Sequence, residues 1–167
     1  VLMDAGFDLI LTYASDDFSA NQAGQFLEAV DPHATTRVVR ADATQLSSIE
    51  SVVKEVEAAG IHLDAVILNA GVTSRGSFEE MRIEDWNRVL TANLTYPTFL
   101  LQALLPRMNP GSAVVFTGSL MGIEPHSMSL AYGVTKAATH SLVRNLVKSL
   151  SPHGIRVNAV APGFVDT

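Results

Sequence analysis

A tyrosine and a lysine four positions apart, Tyr132 and Lys136, are the residues of this chain best suited to proton chemistry. Positions four apart lie on one face of a helix, so the phenol and the ammonium would point into the same space. A phenol ordinarily has a pKa of about 10, and a cation held beside it favours the phenolate. Ser119, thirteen residues before Tyr132, could hold a carbonyl or alcohol oxygen in front of the phenol. This spacing predicts an enzyme that moves a proton at a C–O centre.

The same Tyr-x-x-x-Lys spacing occurs by chance in many helices, where it marks an ordinary surface pair, so the flanking segments are decisive. The apolar, β-rich run 113–117 predicts a strand that ends just before Ser119. Apolar positions with helical spacing then predict a helix over 130–150, and a further strand is predicted over 155–160. This βαβ order places polar groups at the carboxyl ends of strands, which is the edge where open α/β sheets bind ligands.

Strand and helix patterns alternate along the whole chain. Strands are predicted at 8–13, 36–41, 63–69, 112–117 and 155–160, and helices at 17–30, 45–59, 84–108 and 128–151, with a short helix near 78–82. Alternation with short connections predicts an α/β fold with a doubly wound parallel sheet and right-handed crossovers. We therefore expect one Rossmann-like domain over residues 1–167, with three layers in the order α/β/α.

Composition excludes several classes of function. Of the 167 residues 47% are hydrophobic, which is typical of a globular protein with a buried sheet rather than of a disordered one. The net charge is −6 with only 11 Lys plus Arg, which argues against a nucleic-acid-binding surface. The chain has no cysteine, so thiolate chemistry and Cys–metal sites are excluded. Its five histidines lack metal-ligand spacing, and no metal is predicted.

A membrane protein is not expected either. The start of the chain lacks the basic and apolar regions of a signal peptide, so we expect a cytoplasmic protein. The uncharged stretch 89–106 is nearly as long as a membrane span, but it contains Asn93, Pro97 and Gln102. A buried helix at a subunit interface explains it better. We accordingly expect a homo-oligomer, a dimer or a tetramer, built on the apolar faces of helices 84–108 and 128–151.

Six segments together resemble one enzyme family. They are Ala41-Asp42-Ala43, Asn69-Ala70-Gly71-Val72, Thr91-Ala92-Asn93-Leu94-Thr95, Thr117-Gly118-Ser119, Tyr132 with Lys136, and the run from Arg156 to Val165. Any one of them is a weak signal, but six in this order and these contexts are a strong one. The chain resembles the short-chain dehydrogenases/reductases, and within them it is most similar to the 3-oxoacyl-[acyl-carrier-protein] reductase type.

The resemblance implies an enzyme that transfers a hydride between a nicotinamide cofactor and a carbonyl or secondary alcohol. In it, Tyr132 would be the acid/base, Lys136 would lower the pKa of that phenol and hold the nicotinamide ribose, and Ser119 would fix the substrate oxygen. The implied catalytic set is Asn93, Ser119, Tyr132 and Lys136. The implied cofactor-binding set is Asp42, Ala43, Asn69, Ala70, Gly71, Tyr132, Lys136, Pro162, Gly163, Val165 and Thr167. Asp42 would contact adenine rather than catalyse.

Asn93 has a further interpretation that follows from Pro97, four residues later. Proline has no N–H, so it cannot donate to the Asn93 carbonyl, which is left free within a long predicted helix. A water held there could connect to Lys136, and the resemblance implies such a proton relay. The alternative is a proline kink that serves only packing.

The choice between NADP and NAD depends on the end of the second strand of the fold. NAD enzymes usually place a carboxylate there for the ribose 2′-hydroxyl, whereas this chain has Tyr13 followed by Ala14-Ser15. This favours NADP. Asp16 and Asp17 lie close by, and no Lys or Arg follows the strand, so NAD stays possible. A basic residue could instead lie in a Gly-rich turn, and either aspartate could simply cap the next helix.

The resemblance implies further segments at both ends: a first strand with a Gly-rich turn before the strand at 8–13, and a substrate loop with another strand after Thr167. No Gly-rich turn precedes the strand at 8–13, and the central strand of the 3-2-1-4-5-6 order would fall between 8–13 and 63–69. We therefore expect an unfilled slot between those strands, and an internal segment of a longer enzyme. Expressed alone, residues 1–167 should not bind NADPH measurably.

The sequence says little about the substrate. The loop 120–128 between Ser119 and Tyr132 is mostly apolar, as an acyl chain or a hydrophobic ketone would require, and Glu124 or His126 could touch a polar group. The rival hypothesis is a non-catalytic nucleotide-binding or scaffold protein that keeps the fold. Such a relative should have lost one of the four catalytic-type residues, and all four are present.

Overall fold

A computed structural model describes residues 2–124 and 129–165. Its strands are β1 (Leu9–Tyr13), β2 (Thr36–Arg40), β3 (Leu63–Leu68), β4 (Met108–Thr117) and β5 (Arg156–Val160). Its α-helices are α1 (Asp17–Val30), α2 (Ile49–Ala59), α3 (Ile83–Leu90), α4 (Tyr96–Leu104) and α5 (Leu130–Leu150). Every predicted strand and long helical segment is present, with ends shifted by a few residues. No helix among the described residues is long and apolar enough to cross a bilayer.

All strand pairs are parallel, which confirms the predicted α/β architecture with flanking helices. β1 pairs with β2, and β4 lies between β3 and β5. β1 and β3 are not hydrogen-bonded to each other, so the described strands form two separate sheets, with the expected unfilled slot between β1 and β3. This order is the one expected if the position between β1 and β3 in the 3-2-1-4-5-6 arrangement is left unfilled.

The core is built on β4, the middle strand of the larger sheet. Its side chains alternate between faces, and Val114 and Phe116 are fully buried because neighbouring strands and helices cover them. Helices α2 and α4 contact each other and contribute Val56 and Leu101 to the core. Helix α5 packs along β5. The strand ends that carry the candidate site are therefore held by well-packed elements.

The helix predicted over 84–108 is interrupted. Helix α3 passes into a π-helical turn, Thr91–Thr95, in which the Tyr96 N–H donates to the Thr91 carbonyl five residues back. Pro97 follows at once and supplies no N–H, so regular i→i+4 bonding cannot continue through this region. A 3₁₀ turn then leads to β4, which begins at Met108 rather than at the predicted residue 112.

Two other helix predictions also differ from the structure. Residues 78–80 form a turn rather than the predicted short helix, because so short a segment cannot offset the cost of helix nucleation. The second predicted helix, 45–59, is a 3₁₀ turn at Leu46–Ser48 followed by α2 from Ile49.

Candidate active site

Tyr132 and Lys136 lie on the first turns of α5 and face each other as the spacing predicted. The Lys136 Nζ lies 5.3 Å from the centroid of the Tyr132 ring. Lys136 is only 4% exposed, and its ammonium donates to the Thr117 carbonyl at 2.5 Å, at the carboxyl end of β4. Burial lowers the pKa of Lys136. The Lys136 ammonium is thus held away from water and beside the Tyr132 ring.

Ser119 is brought to α5 by the turn that it begins. Its Oγ accepts a hydrogen bond from the Met121 N–H at 3.2 Å and so caps a short 3₁₀ turn, Leu120–Gly122. That turn lies directly on α5: a Cβ on Gly122 would be 2.6 Å from the Lys136 carbonyl carbon and 2.7 Å from the Ala137 nitrogen. Only glycine permits this approach of backbone to backbone. The contact sets the position of the Ser119 turn relative to the helix turn that carries Lys136.

Asn93 joins the same cluster through its side chain. Its Oδ1 accepts from the Val72 N–H at 2.8 Å, and its Nδ2 donates to the Val72 carbonyl at 2.9 Å. Beside it, a Cβ on Gly71 would lie 3.1 Å from the Asn93 Oδ1 and 3.9 Å from the Lys136 Nζ. Gly71 therefore leaves a small space that Asn93 and Lys136 border. The water relay expected from the Asn93 carbonyl stays a prediction.

The predicted cofactor-binding residues follow the carboxyl ends of strands in both sheets. Asn69 Oδ1 accepts from the Thr117 hydroxyl at 2.8 Å, and the Pro162 carbonyl accepts from the Leu120 N–H at 3.0 Å. Asp42 Oδ1 instead accepts from both the N–H and the hydroxyl of Thr44, each at 2.8 Å, which closes a turn after β2. Ala43 is buried, Ala70, Gly163 and Val165 are exposed, and Thr167, like His126, lies outside the described residues.

Arg40 is a candidate that sequence reasoning missed. It ends β2 in register with Tyr13, and its Nε donates to the Ala14 carbonyl at 3.3 Å. No ion pair within residues 2–124 and 129–165 involves it. A basic residue therefore does lie beside the turn after β1, contrary to expectation. Arg40 and Ala14 are far apart in the chain, so their proximity becomes evident only from the pairing of β1 with β2.

The two acidic residues near Arg40 are already engaged. The Asp16 carboxylate caps α1, accepting from the Ser19 N–H at 3.0 Å and the Ser19 hydroxyl at 2.6 Å. Desolvation and a hydrogen bond to Asp17 raise the pKa of the Tyr13 phenol. Capping was one of the two interpretations left open for Asp16, and the structure selects it.

The groups gathered at this site suit a nucleotide cofactor. Residues 2–124 and 129–165 contain no group of three His, Asp or Glu side chains that could hold a metal ion. The space at Gly71, the exposed residues Asn69 and Ala70, and the ammonium of Lys136 fit a ribose and a flat ring. Fold and site thus define a Rossmann-like α/β protein with a Ser, Tyr and Lys set at one sheet edge.

Comparisons with known proteins identify the family to which this chain belongs. A family profile described as "Enoyl-(Acyl carrier protein) reductase" matches residues 1–167. The chain is 33% identical over 133 residues to an uncharacterized oxidoreductase of Staphylococcus epidermidis, which covers 78% of this chain and 58% of that protein. It is 32% identical over 164 residues to the uncharacterized oxidoreductase YmfI of Bacillus subtilis, covering 97% of this chain and 66% of YmfI.

Solved structures agree with these sequence matches. A short chain dehydrogenase from Burkholderia cenocepacia, crystallised with NADP, superposes with a TM-score of 0.89 at 28% identity, covering 96% of this chain and 65% of that one. A blue fluorescent protein from a metagenomic library, in complex with NADPH, superposes with a TM-score of 0.92 at 27% identity, covering 99% and 68%. The chain belongs to the short-chain dehydrogenase/reductase family. It spans between about three fifths and two thirds of the length of the proteins named here.

Proposed function

We propose that this chain provides the catalytic and cofactor-binding residues of an NADP-dependent oxidoreductase acting on a carbonyl or secondary alcohol. One observation carries the proposal: a buried lysine ammonium lies 5.3 Å from the ring centroid of Tyr132, beside the strand end that bears Ser119. Burying a charge is costly, and a protein retains it where the charge does chemistry or binding. This arrangement favours an enzyme over a non-catalytic scaffold.

The roles follow from what each group can do with a proton. The cofactor, when bound, supplies or accepts the hydride. During reduction the Tyr132 hydroxyl gives its proton to the substrate oxygen, and during oxidation the phenolate takes it back. The Lys136 ammonium stabilises that phenolate and donates to the ribose of the nucleotide. The Ser119 hydroxyl orients the substrate oxygen toward Tyr132.

The preference for NADP is supported by the neighbourhood of Arg40. Its exposed guanidinium lies beside the turn after β1, where the ribose 2′-position of a bound dinucleotide is expected. Guanidinium is well suited to a phosphate because it donates several hydrogen bonds in one plane. Four of the similar solved structures are complexes with NADP or NADPH. NAD is the less favoured alternative.

For the substrate we propose a 3-oxoacyl thioester or a similar hydrophobic ketone. The turn after Ser119 carries Leu120 and Ile123, both exposed, so an apolar chain has side chains to contact. The acyl-carrier-protein description of the matching family points the same way. Parallel assays with a 3-oxoacyl thioester and an enoyl thioester would distinguish reduction of a C=O bond from reduction of a C=C bond.

Replacement of Tyr132 by Phe in the full-length protein tests the catalytic role. We expect NADPH affinity to stay nearly unchanged and kcat to fall by about 10²–10⁴-fold, the usual value of positioned proton transfer. Tyr96→Phe is the matched control, since this buried tyrosine belongs to the core and only its hydroxyl would be lost. Activity of Tyr132→Phe within a few-fold of wild type would mean that another group supplies the proton.

Replacement of Arg40 by Ala tests the cofactor preference. We expect the Kd for NADPH to rise by roughly 10- to 100-fold, the value of a hydrogen bond to a charged group, with little change for NADH. Arg37→Ala on the same strand is the control, because Arg37 is already paired with Glu55 at 2.7 Å. Equal losses for both nucleotides, measured by fluorescence titration, would remove Arg40 from 2′-phosphate binding.

A further inference from the structure

Thr135, the residue before Lys136, makes two hydrogen bonds that join separate parts of the site. Its side chain is 1% exposed. Its hydroxyl accepts from the Asn93 Nδ2 at 3.1 Å and donates to the Tyr132 carbonyl at 2.8 Å. A hydroxyl can do both at once, since it has one proton to donate and lone pairs to accept with. A chain of hydrogen bonds therefore runs from the Asn93 amide through Thr135 to the backbone of Tyr132.

The bond from Thr135 completes the hydrogen bonding of the Asn93 amide. That amide offers two N–H donors and one carbonyl oxygen. Backbone groups of Val72 take the oxygen and one N–H, and the Thr135 hydroxyl takes the second N–H. Asn93 is itself buried, so loss of this acceptor would leave an N–H without a partner away from water.

Thr139, one turn further along α5, shows what a purely local threonine looks like. It is 2% exposed, nearly as buried as Thr135. Its hydroxyl donates to the Thr135 carbonyl at 2.9 Å, a bond within the same helix. The two threonines thus share burial, helix and donor chemistry. They differ in that Thr135 reaches the π-helical turn of Asn93.

We propose that Thr135 is a positioning residue for the reaction, coupling the π-helical turn that carries Asn93 to the helical turn that carries Tyr132 and Lys136. This inference rests on the proposed function. The β3–α3 loop holds Asn93 through Val72, and Thr135 transmits that placement to the backbone carbonyl of the acid/base residue. The placement of Tyr132 against the substrate oxygen then depends on the hydrogen bond between Asn93 and Thr135, in which Tyr132 takes no part.

Variants of Thr135 separate its hydroxyl from its methyl group. Ser keeps only the hydroxyl and Ala keeps neither, so the Ser and Ala variants differ by the hydroxyl alone. We expect Thr135→Ser to retain kcat within about 3-fold, and Thr135→Ala to lose roughly 10- to 100-fold, the scale of a small misplacement of a reacting group. The Kd for NADPH should change little in either. Thr139→Val, the control, should keep wild-type kcat.

The pH profile of kcat distinguishes positioning from simple loss of stability. In Thr135→Ala the profile should shift, because the Tyr132 phenol no longer lies at the same place relative to the Lys136 ammonium, which the Thr117 carbonyl still holds. In Thr139→Val it should not. If Thr135→Ala and Thr135→Ser have equal kcat and unshifted profiles, the proposal is overturned.

A double-mutant cycle keeps the test independent of turnover. Thermal unfolding of Asn93→Ala, Thr135→Ala and the double variant should be non-additive, because both single changes break the same bond. Should the wild-type enzyme reduce no substrate, the proposed function fails, while a non-additive cycle still supports the coupling of the two turns. An additive cycle overturns the coupling whether or not the enzyme is active.

Discussion

Lys136 concentrates the electrostatic cost of this site in one side chain. Its ammonium is almost wholly withdrawn from water and, among the groups described, donates to the Thr117 carbonyl. A single neutral acceptor does not replace the hydration of an ammonium, so burial lowers the pKa of Lys136. The buried charge lowers the stability of the folded protein near neutral pH, and in the proposed mechanism it is the positive charge beside Tyr132.

The pH dependence of stability should report this cost. Between the lowered pKa of folded Lys136 and the ordinary value near 10.4, the unfolded chain binds more protons than the folded one, so the free energy of unfolding rises with pH. We expect wild-type enzyme to gain stability relative to Lys136→Met as the pH rises from about 7 to about 10. Urea unfolding of both proteins across this range measures the difference. Parallel curves would show that Lys136 is not costly to bury.

At the scale of elements, the site depends on how closely the turn after β4 lies against α5. At Gly118 a side chain would meet the His140 imidazole, and at Gly122 it would meet the backbone of Lys136 and Ala137. An imidazole can rotate, whereas helix backbone cannot move without disturbing its hydrogen bonds. Gly122 is therefore the stricter of the two contacts. It determines where Ser119, at the start of the same turn, stands relative to α5.

Gly122→Ala should force the turn and the helix apart. A Cβ 2.6 Å from a backbone carbon cannot be accommodated, and overpacking of this kind costs typically about 1–3 kcal/mol. We expect a lower Tm and, because Ser119 moves with the turn, a larger loss in kcat than in NADPH affinity. Gly163→Ala is the control for stability, since its nearest neighbour would be 3.9 Å away. Wild-type Tm and kcat in Gly122→Ala would contradict the contact.

The apolar stretch around α4 contributes both to the core and to the surface of this chain. Much of it is buried within this chain: Tyr96, Leu100, Leu101 and Leu104 all belong to the core. A subunit interface on these helices would therefore use the few apolar side chains that stay exposed. These are Phe99 on α4, which is 49% exposed, and Leu130, Val134 and Val147 on α5. The proposed homo-oligomer would bury this smaller set.

At the scale of the whole molecule, a charge at Phe99 should disrupt such an oligomer. We expect Phe99→Glu in the full-length protein to shift the sedimentation coefficient toward the monomer, because an unpaired carboxylate in an apolar interface is costly. Phe26→Glu is the control, since Phe26 is also exposed but lies on α1. If wild-type protein sediments as a monomer at micromolar concentration, the interface does not exist.

The amino-acid sequence alone determined those features that depend on neighbours in the chain. The order of strands and helices followed from hydrophobic periodicity, and Tyr132 could be paired with Lys136 because a helix places positions four apart on one face. The strand end before Ser119 was likewise a local pattern. Pro97 predicted a disturbed helix, although its form, a π-helical turn before the proline, was not predictable from the missing N–H alone.

Tertiary structure decided everything that depends on pairing between distant segments. Arg40 reaches the turn after Tyr13 because β1 and β2 are parallel and in register, and Thr135 meets Asn93 because α5 packs against the π-helical turn. Such contacts join residues that are far apart in the chain. The sequence shows each residue, but its local pattern does not indicate which distant residue it contacts. Folding brings them together, because buried polar groups must find partners and apolar faces must be covered.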